Sequence, residues 1–345
     1  MKKGCKFGTH RTIDPKGGLP QPAEKIDNTM EIYDNEILID VKTLNIDSAS
    51  FTQIEKQAEG NVENIKKIML NIIETRGKHH NPVTGSGGML IGEVKEIGPA
   101  LEGKTGLKIG DRLATLVSLS LTPLKIDKIL EVRKDIDQVD VEGQAILFES
   151  GIYAKLPDDM PENLALSVLD VAGAPAQTRK LVKEGDIVSV IGGTGKSGML
   201  CLYEAKKAVG PNGKVICIGH SDKSLDRVKS VNLADIYIKA SATDPIGVMN
   251  AVSKATKGKM ADVTINCVNI PDTEMSCILS TNPEGVIYFF SMATSFTKAA
   301  LGAEGVGMDT NMIIGNGYAK NHAEIALNIM REDKDLRDLY EKLYA

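Results

Sequence analysis

The fold is decided by the stretch Val188-Ser189-Val190-Ile191-Gly192-Gly193-Thr194-Gly195-Lys196-Ser197-Gly198. An apolar strand runs into Gly193-x-Gly195-x-x-Gly198, and a helix opening at Met199-Leu200 follows. Glycines at this spacing are a weak signal by themselves. Between a strand and a helix they acquire a mechanism: the missing side chains let the backbone approach a pyrophosphate, which sits on the positive end of the helix. This makes Gly193, Thr194, Gly195, Lys196, Ser197 and Gly198 the phosphate-binding residues of a dinucleotide site. Gly195-Lys196-Ser197 also looks like the end of a nucleotide-hydrolase loop, but that loop requires a glycine five residues before Gly195. The chain has Val190 there, inside the strand.

Downstream, apolar runs at residues 214–218, 236–238, 263–267 and 286–290 alternate with stretches of helical length such as 198–209 and 224–231. Continuous apolar strands of about five residues separated by helices indicate a parallel sheet covered on both faces. The half beyond about Asp170 therefore reads as α/β, a doubly wound Rossmann-type sheet. A dinucleotide site usually offers an acidic residue to the adenosine ribose about 20 positions on. Here the strand ends in Gly219-His220-Ser221-Asp222-Lys223, so that anchor is absent or displaced to Asp222. His220, Ser221 and Lys223 would also admit a 2′-phosphate. Spacing leaves NAD and NADP both open.

The first half has a different texture. Residues 37–44, ILIDVKTL, alternate as a half-buried strand does, and residues 61–76 place Ile65, Ile68, Met69, Ile72 and Ile73 at helical spacing. A glycine-rich break at 85–88, a strand at 89–97, the turn Lys108-Ile109-Gly110-Asp111-Arg112, a strand at 113–119 and the loop Leu156-Pro157-Asp158-Asp159 complete a β-rich reading. The expected organisation is a β-rich catalytic domain over residues 1–168, a dinucleotide-binding domain over 169–318 and a helical segment over 319–345. The charged end at 331–344 reads as a solvent-facing helix.

Composition narrows the function classes. In 345 residues, 41 Lys and Arg stand against 46 Asp and Glu, so no basic surplus points to nucleic acid. Hydrophobic residues at 42% and charged residues at 25% describe a globular chain. No run of about 18 apolar residues exists to cross a membrane. The polar stretch after Met1-Lys2-Lys3 lacks the apolar core of a signal peptide, so the expected location is the cytoplasm, with no membrane partner. The five cysteines are odd in number and never fall as C-x-x-C, which predicts reduced thiols and no thiolate zinc site.

Several segments together resemble the medium-chain dehydrogenase/reductase superfamily. The stretch from Asn81-Pro82 through Gly85-Ser86-Gly87-Gly88 to Gly92-Glu93-Val94 and Gly98 is similar to that family's P-x-x-x-G-H-E-x-x-G-x-V-x-x-x-G. Lys108-Ile109-Gly110-Asp111-Arg112 resembles its K-x-G-D-R-V turn, and Lys183-Glu184-Gly185-Asp186 its K-x-G-D before the cofactor strand. The resemblance implies a GroES-like catalytic domain ahead of the doubly wound sheet. Zinc members carry Cys and His ligands where this chain has Asp47 and Ser86, and near the third ligand position stands Asp170. Losing thiolate and imidazole argues against a catalytic metal, so none is expected.

The unusual start, Lys3-Gly4-Cys5-Lys6-Phe7-Gly8-Thr9-His10-Arg11, is similar to a zinc-independent amino-acid dehydrogenase family of anaerobic lysine fermentation. That resemblance implies oxidative deamination at C3 of 3,5-diaminohexanoate, giving 5-amino-3-oxohexanoate, ammonia and NADH. Such chemistry needs a proton acceptor and one water. Asp47 is the first candidate, although it equally suits a helix cap; Ser86, His79, His80 and Asp170 are the others. Arg11 is expected to fork onto the substrate carboxylate, and Glu149 or Asp170 to meet the spare ammonium. Val268, Ser291 and Met292, at strand ends, occupy family positions beside the nicotinamide. A homodimer paired along residues 285–290 as an edge strand is expected. Two alternatives stay open: a zinc-free quinone or enone reductase using NADPH, and a dinucleotide-binding protein without catalysis.

Overall fold

The computed structural model describes every residue except Asn316, and the chain divides into two units, Met1–Asp170 and Val171–Ala345. In the first, β1 (Thr12–Asp14) and β2 (Lys25–Ile26) form a short antiparallel ladder. Six more strands make the main sheet: β3 (Glu36–Asn45), β4 (Met89–Ile97), β5 (Arg112–Thr115), β6 (Leu124–Arg133), β7 (Gln138–Phe148) and β8 (Tyr153–Lys155). All its pairings are antiparallel, in the order β6-β7-β3-β4-β5-β8.

The centre of this sheet follows from its side chains. In β3, exposed Asp40 and Lys42 separate buried Ile39, Val41 and Thr43, so one face is wetted while the other packs inward. That inner face meets α1 (Ser48–Gln57) and α2 (Val62–Arg76), whose Phe51, Ile54, Ile65 and Met69 join Ile37, Ile39, Val41 and Leu44 in one core. Each such fully buried side chain contributes about 1.5–3 kcal/mol relative to exposure. Asn61 caps the N-terminus of α2, and Gly77 ends it at φ 72°, where a Cβ would lie 2.1 Å from the Ile26 carbonyl oxygen. A side chain at Gly77 is therefore excluded both by conformation and by space. The helix α3 (Glu162–Leu169) closes the unit. The strand expected over 113–119 stops at Thr115, and the chain beyond it turns, with the Leu121 and Thr122 N–H groups bonding back to the carbonyls of Ser118 and Leu119.

The second unit holds α4 (Gly173–Leu181), β9 (Ile187–Ile191), α5 (Lys196–Val209), β10 (Lys214–Gly219), α6 (Asp222–Ser230), β11 (Ile236–Lys239) and α7 (Pro245–Thr256). Then follow β12 (Ala261–Asn266), α8 (Glu274–Ser280), β13 (Thr281–Phe289), α9 (Phe296–Val306), β14 (Asn311–Ile314), α10 (His322–Glu332) and α11 (Lys334–Tyr344). The six strands are all parallel in the order β11-β10-β9-β12-β13-β14. The doubly wound expectation is borne out. Order reverses between β9 and β12, and the crevice beyond the carboxyl ends of strands at such a reversal is where these sheets bind ligands.

Two expectations are corrected. Residues 285–290 are not an edge, since β13 pairs with β12 on one side and β14 on the other. The edge is β14, four residues reading NMII, too short to stand out as an apolar run. The terminal segment is not one solvent-facing helix: α10 ends at Glu332, Asp333 caps α11, and Leu336 and Tyr340 of α11 are fully buried. Among the described residues no helix is long and apolar enough to cross a membrane.

Candidate functional site

In the second unit the glycine loop follows β9 directly. Helix α5 starts at Lys196, three residues earlier than its apolar pattern suggested, so the backbone N–H groups of Lys196, Ser197 and Gly198 form its first turn. Gly195 is the N-cap and offers no side-chain acceptor to them. The glycines have separate reasons. A Cβ on Gly198 would sit 2.2 Å from the Gly192 carbonyl oxygen, and one on Gly193 would sit 2.8 Å from Cys217 Sγ. Both are fixed by packing of the loop against the sheet. A Cβ on Gly195 would meet only the Gly192 oxygen, at 3.5 Å. Packing alone does not require glycine there, and its absence of a side chain leaves the backbone N–H groups open to an anion. Gly192, which the spacing rule overlooked, turns at φ 81°, and a side chain on it would strike Val268 at 2.7 Å.

A cavity of about 410 Å³ opens at this point, lined among others by Gly192, Thr194, Gly195, His220, Ser241 and Val268. It fits a dinucleotide: open backbone donors, a cleared glycine face and apolar walls from Ile191, Ile218 and Ala240. At the end of β10, a Cβ on Gly219 would lie 2.7 Å from Thr194 Cγ2, leaving no room for an acidic side chain. Asp222 is turned to Lys239, whose ammonium lowers the carboxyl's pKa, and Ser221 caps α6 through the Ser224 N–H. His220 and Lys223 are exposed. Ser291 follows β13 with its N–H 3.3 Å from the Asn266 oxygen, and Met292 is 76% exposed.

In the first unit the structure gathers Asp47, Ser86 and His79. Asp47 is the N-cap of α1: its Oδ1 accepts the Ser50 N–H at 3.0 Å. Its Oδ2 is buried and has no hydrogen-bond partner. His79 is completely buried, not on the surface, and neither ring nitrogen makes a well-formed hydrogen bond. Burial drives its pKa down to about 4, against the opposing pull of the Asp47 carboxylate, so the imidazole is neutral. His80 is half-buried and is shifted in the same direction by desolvation. Asp170 connects to the same strand end, accepting from Asn45 Nδ2 at 3.3 Å, two residues before Asp47.

Three neighbours of this cluster escaped the sequence reading. Ser50, in the first turn of α1, is fully buried, and its hydroxyl contacts those of Thr84 and Ser86. Asn81, also buried, organises the loop: its Oδ1 accepts the Val83 N–H at 2.9 Å and its N–H donates to the Ser86 carbonyl. An Asn before Pro82 is a turn signal that could have flagged it. Among the described residues, no group of three or more His, Cys, Asp or Glu is arranged to hold a metal.

Of the residues expected to meet the substrate charges, Arg11 and Glu149 lie elsewhere in this unit. Arg11 is fully buried and its donors are consumed by Glu36 Oε1 and Oε2, each at 2.7 Å, and by the carbonyls of Asp27, Thr29 and Glu31. No donor is left for a substrate carboxylate, so that expectation is withdrawn. Arg11 instead compensates Glu36, a completely buried carboxyl, whose pKa is held down by its bonds to Arg11 and His10 despite its desolvation. Glu149 accepts from Asn35 Nδ2 at 2.9 Å in this same N-terminal network.

Comparison with known proteins adds the lineage. Residues 10–157 match the L-erythro-3,5-diaminohexanoate dehydrogenase N-terminal domain family. The chain is 60% identical over 342 residues to L-erythro-3,5-diaminohexanoate dehydrogenase of Acetoanaerobium sticklandii, covering 99% of each. It is 60% identical over 344 residues to that of Fusobacterium nucleatum, covering 100% of each. Among solved structures it is similar to a Pseudomonas syringae quinone oxidoreductase, at 18% identity and TM-score 0.55 over 93% of this chain and 85% of that one. A mycobacterial protein complexed with NADPH gives 15% and 0.57 over 97% and 95%. A zinc dependent alcohol dehydrogenase from Streptococcus pneumonia gives 16% and 0.55 over 92% and 89%. These likenesses bear out the expected fold, a GroES-like domain with a Rossmann-type sheet.

Proposed function

The chain belongs to the L-erythro-3,5-diaminohexanoate dehydrogenase family, and from that premise we propose that it catalyses the NAD-dependent oxidative deamination of this diamino acid to 5-amino-3-oxohexanoate and ammonia. The observation that carries the reading is 60% identity over the whole length of relatives with that activity in their names. It displaces both the quinone-reductase alternative and the non-catalytic one. We assign NAD on the family relationship, since the strand end at Gly219 carries no carboxylate toward the cavity that would itself discriminate. Action in lysine fermentation, a cytoplasmic location and a homodimer paired along the open edge of β14 belong to the same proposal.

The backbone of Gly193–Gly198 and the walls around Thr194 and Val268 would hold the dinucleotide. When bound, it supplies the hydride acceptor. Asp47 takes one proton from the C3 ammonium, leaving a neutral amine that can release hydride from C3. The resulting iminium adds one water and expels ammonia, giving the ketone. The unpartnered Oδ2 of Asp47 supports its role as base, and His79 beside it, kept neutral by burial, adds no positive charge that would compete with the substrate ammonium. Asp47→Asn should retain NAD affinity while turnover falls by roughly 10²–10⁴-fold, the usual worth of a positioned base. Turnover within about tenfold of wild type would leave Asp47 only its capping role.

A further inference from the structure

Three hydroxyls close a ring beside Asp47. Ser50 Oγ lies 2.6 Å from Thr84 Oγ1 and 2.7 Å from Ser86 Oγ, and the latter two are 2.9 Å apart. A hydroxyl has one proton to donate and two lone pairs to offer. Three contacts among three hydroxyls therefore use every proton in the ring. The Ser86 N–H engages a further lone pair of Thr84 at 3.4 Å. What the ring has left for a ligand is lone pairs alone. Adjoining it is the Asp47 carboxylate, bound through Oδ1 to the Ser50 N–H and unpaired at Oδ2. Access differs around the ring: Ser50 is buried, Ser86 half-buried and Thr84 exposed.

A hydroxyl ring that offers only acceptors selects by chemistry. An ammonium, an amine or an iminium presents N–H donors and suits it. A developing carbonyl oxygen, which presents lone pairs, would meet lone pairs and be repelled. We propose that the Ser50–Thr84–Ser86 ring is the amine subsite of the enzyme: it accepts the N–H groups of the C3 nitrogen before and after hydride departs, and so makes the enzyme a dehydrogenase of amines and not of the corresponding alcohols. This inference rests on the deamination reading above and deepens it. Asn81 keeps the ring closed, holding the Thr84 loop through Oδ1 and reaching the Ser50 carbonyl through Nδ2 at 3.4 Å.

The test uses Thr84→Val, a near-isosteric change at an exposed position, with Thr84→Ser as the variant that restores the hydroxyl. Two quantities are read: calorimetric affinity for 3,5-diaminohexanoate in the non-reacting complex with NADH, and the kcat/KM ratio for the diamino acid over its 3-hydroxy analogue with NAD. Thr84→Val opens the ring and leaves a neighbouring hydroxyl proton without its ring acceptor, so a donor faces the substrate ammonium; affinity for the diamino acid should fall about tenfold or more and the ratio should fall with it, since hydrogen bonds to charged groups are worth that much. Thr84→Ser should recover both. Unchanged affinity and ratio in a folded Thr84→Val protein, or failure of Thr84→Ser to recover them, overturns the amine subsite alone. A wild-type enzyme that releases no ammonia from the diamino acid overturns the deamination reading, and the subsite falls with it.

Discussion

Replacing Gly195 by aspartate separates ligand binding from folding with unusual cleanness. At Gly195 the backbone has φ −89°, which any L-residue adopts, and a Cβ there meets nothing closer than 3.5 Å. The folded state should therefore change by no more than about 0.5 kcal/mol, as for other unstrained open positions. The carboxylate, however, would stand where the pyrophosphate approaches the backbone. Two like charges about 5 Å apart at an effective dielectric constant of about 20 repel by roughly 3 kcal/mol, which is about two orders of magnitude in affinity. Gly198→Ala is the internal control of opposite character. Its Cβ would lie 2.2 Å from the Gly192 oxygen and 2.7 Å from Gly193 Cα, both backbone atoms that cannot swing aside. Overpacking of that kind costs roughly 1–3 kcal/mol and should appear as a lowered Tm. Calorimetric titration with NAD and a thermal scan measure the two effects separately. A folded Gly195→Asp protein that binds NAD within about threefold of wild type, against the two orders expected, would refute the phosphate-loop assignment.

Other perturbations probe the first unit and the sheet edge. Burial depresses the pKa of His79 from 6.5 to about 4, so between those values the unfolded chain binds a proton that the folded one refuses. Its stabilisation is complete above about pH 6.5 and is lost as pH falls toward 4, by roughly 3 kcal/mol in all. Urea midpoints at pH 7.5 and 4.5 should thus converge between wild type and His79→Gln as pH falls, and parallel losses would contradict this. At the edge of the second sheet, Ile314 of β14 is 63% exposed, and Ile314→Lys should convert a dimer into a monomer in sedimentation. A wild-type protein that sediments as a monomer at every concentration would remove the proposed interface.

The parts of the fold legible in sequence were those where one force dominates. Strands β9, β10 and β12 are buried on both faces, so their apolar runs announce them, and β4 was bounded correctly by its glycine break. The strand β6, LKIDKILEVR, carries no clean alternation because half of its positions are charged, and only its pairing with β7 makes it a strand. Site residues divided similarly. Gly193, Gly195 and Gly198 obey a local spacing rule, whereas Ser50, Thr84 and Ser86 meet only after α1 and the Asn81 loop fold together. Arg11 reads as a free cation in sequence because its partner, Glu36, lies 25 positions away and nothing local marks it as buried.

The central claim is tested most directly by incubating the wild-type enzyme with L-erythro-3,5-diaminohexanoate and NAD while following NADH by absorbance and ammonia by an independent assay. Oxidative deamination predicts that the two appear together in equal amounts, that NADP supports the reaction less well, and that quinones with NADPH are turned over poorly. NADH formed without ammonia, or no reaction with the diamino acid alongside rapid NADPH-dependent quinone reduction, would contradict it.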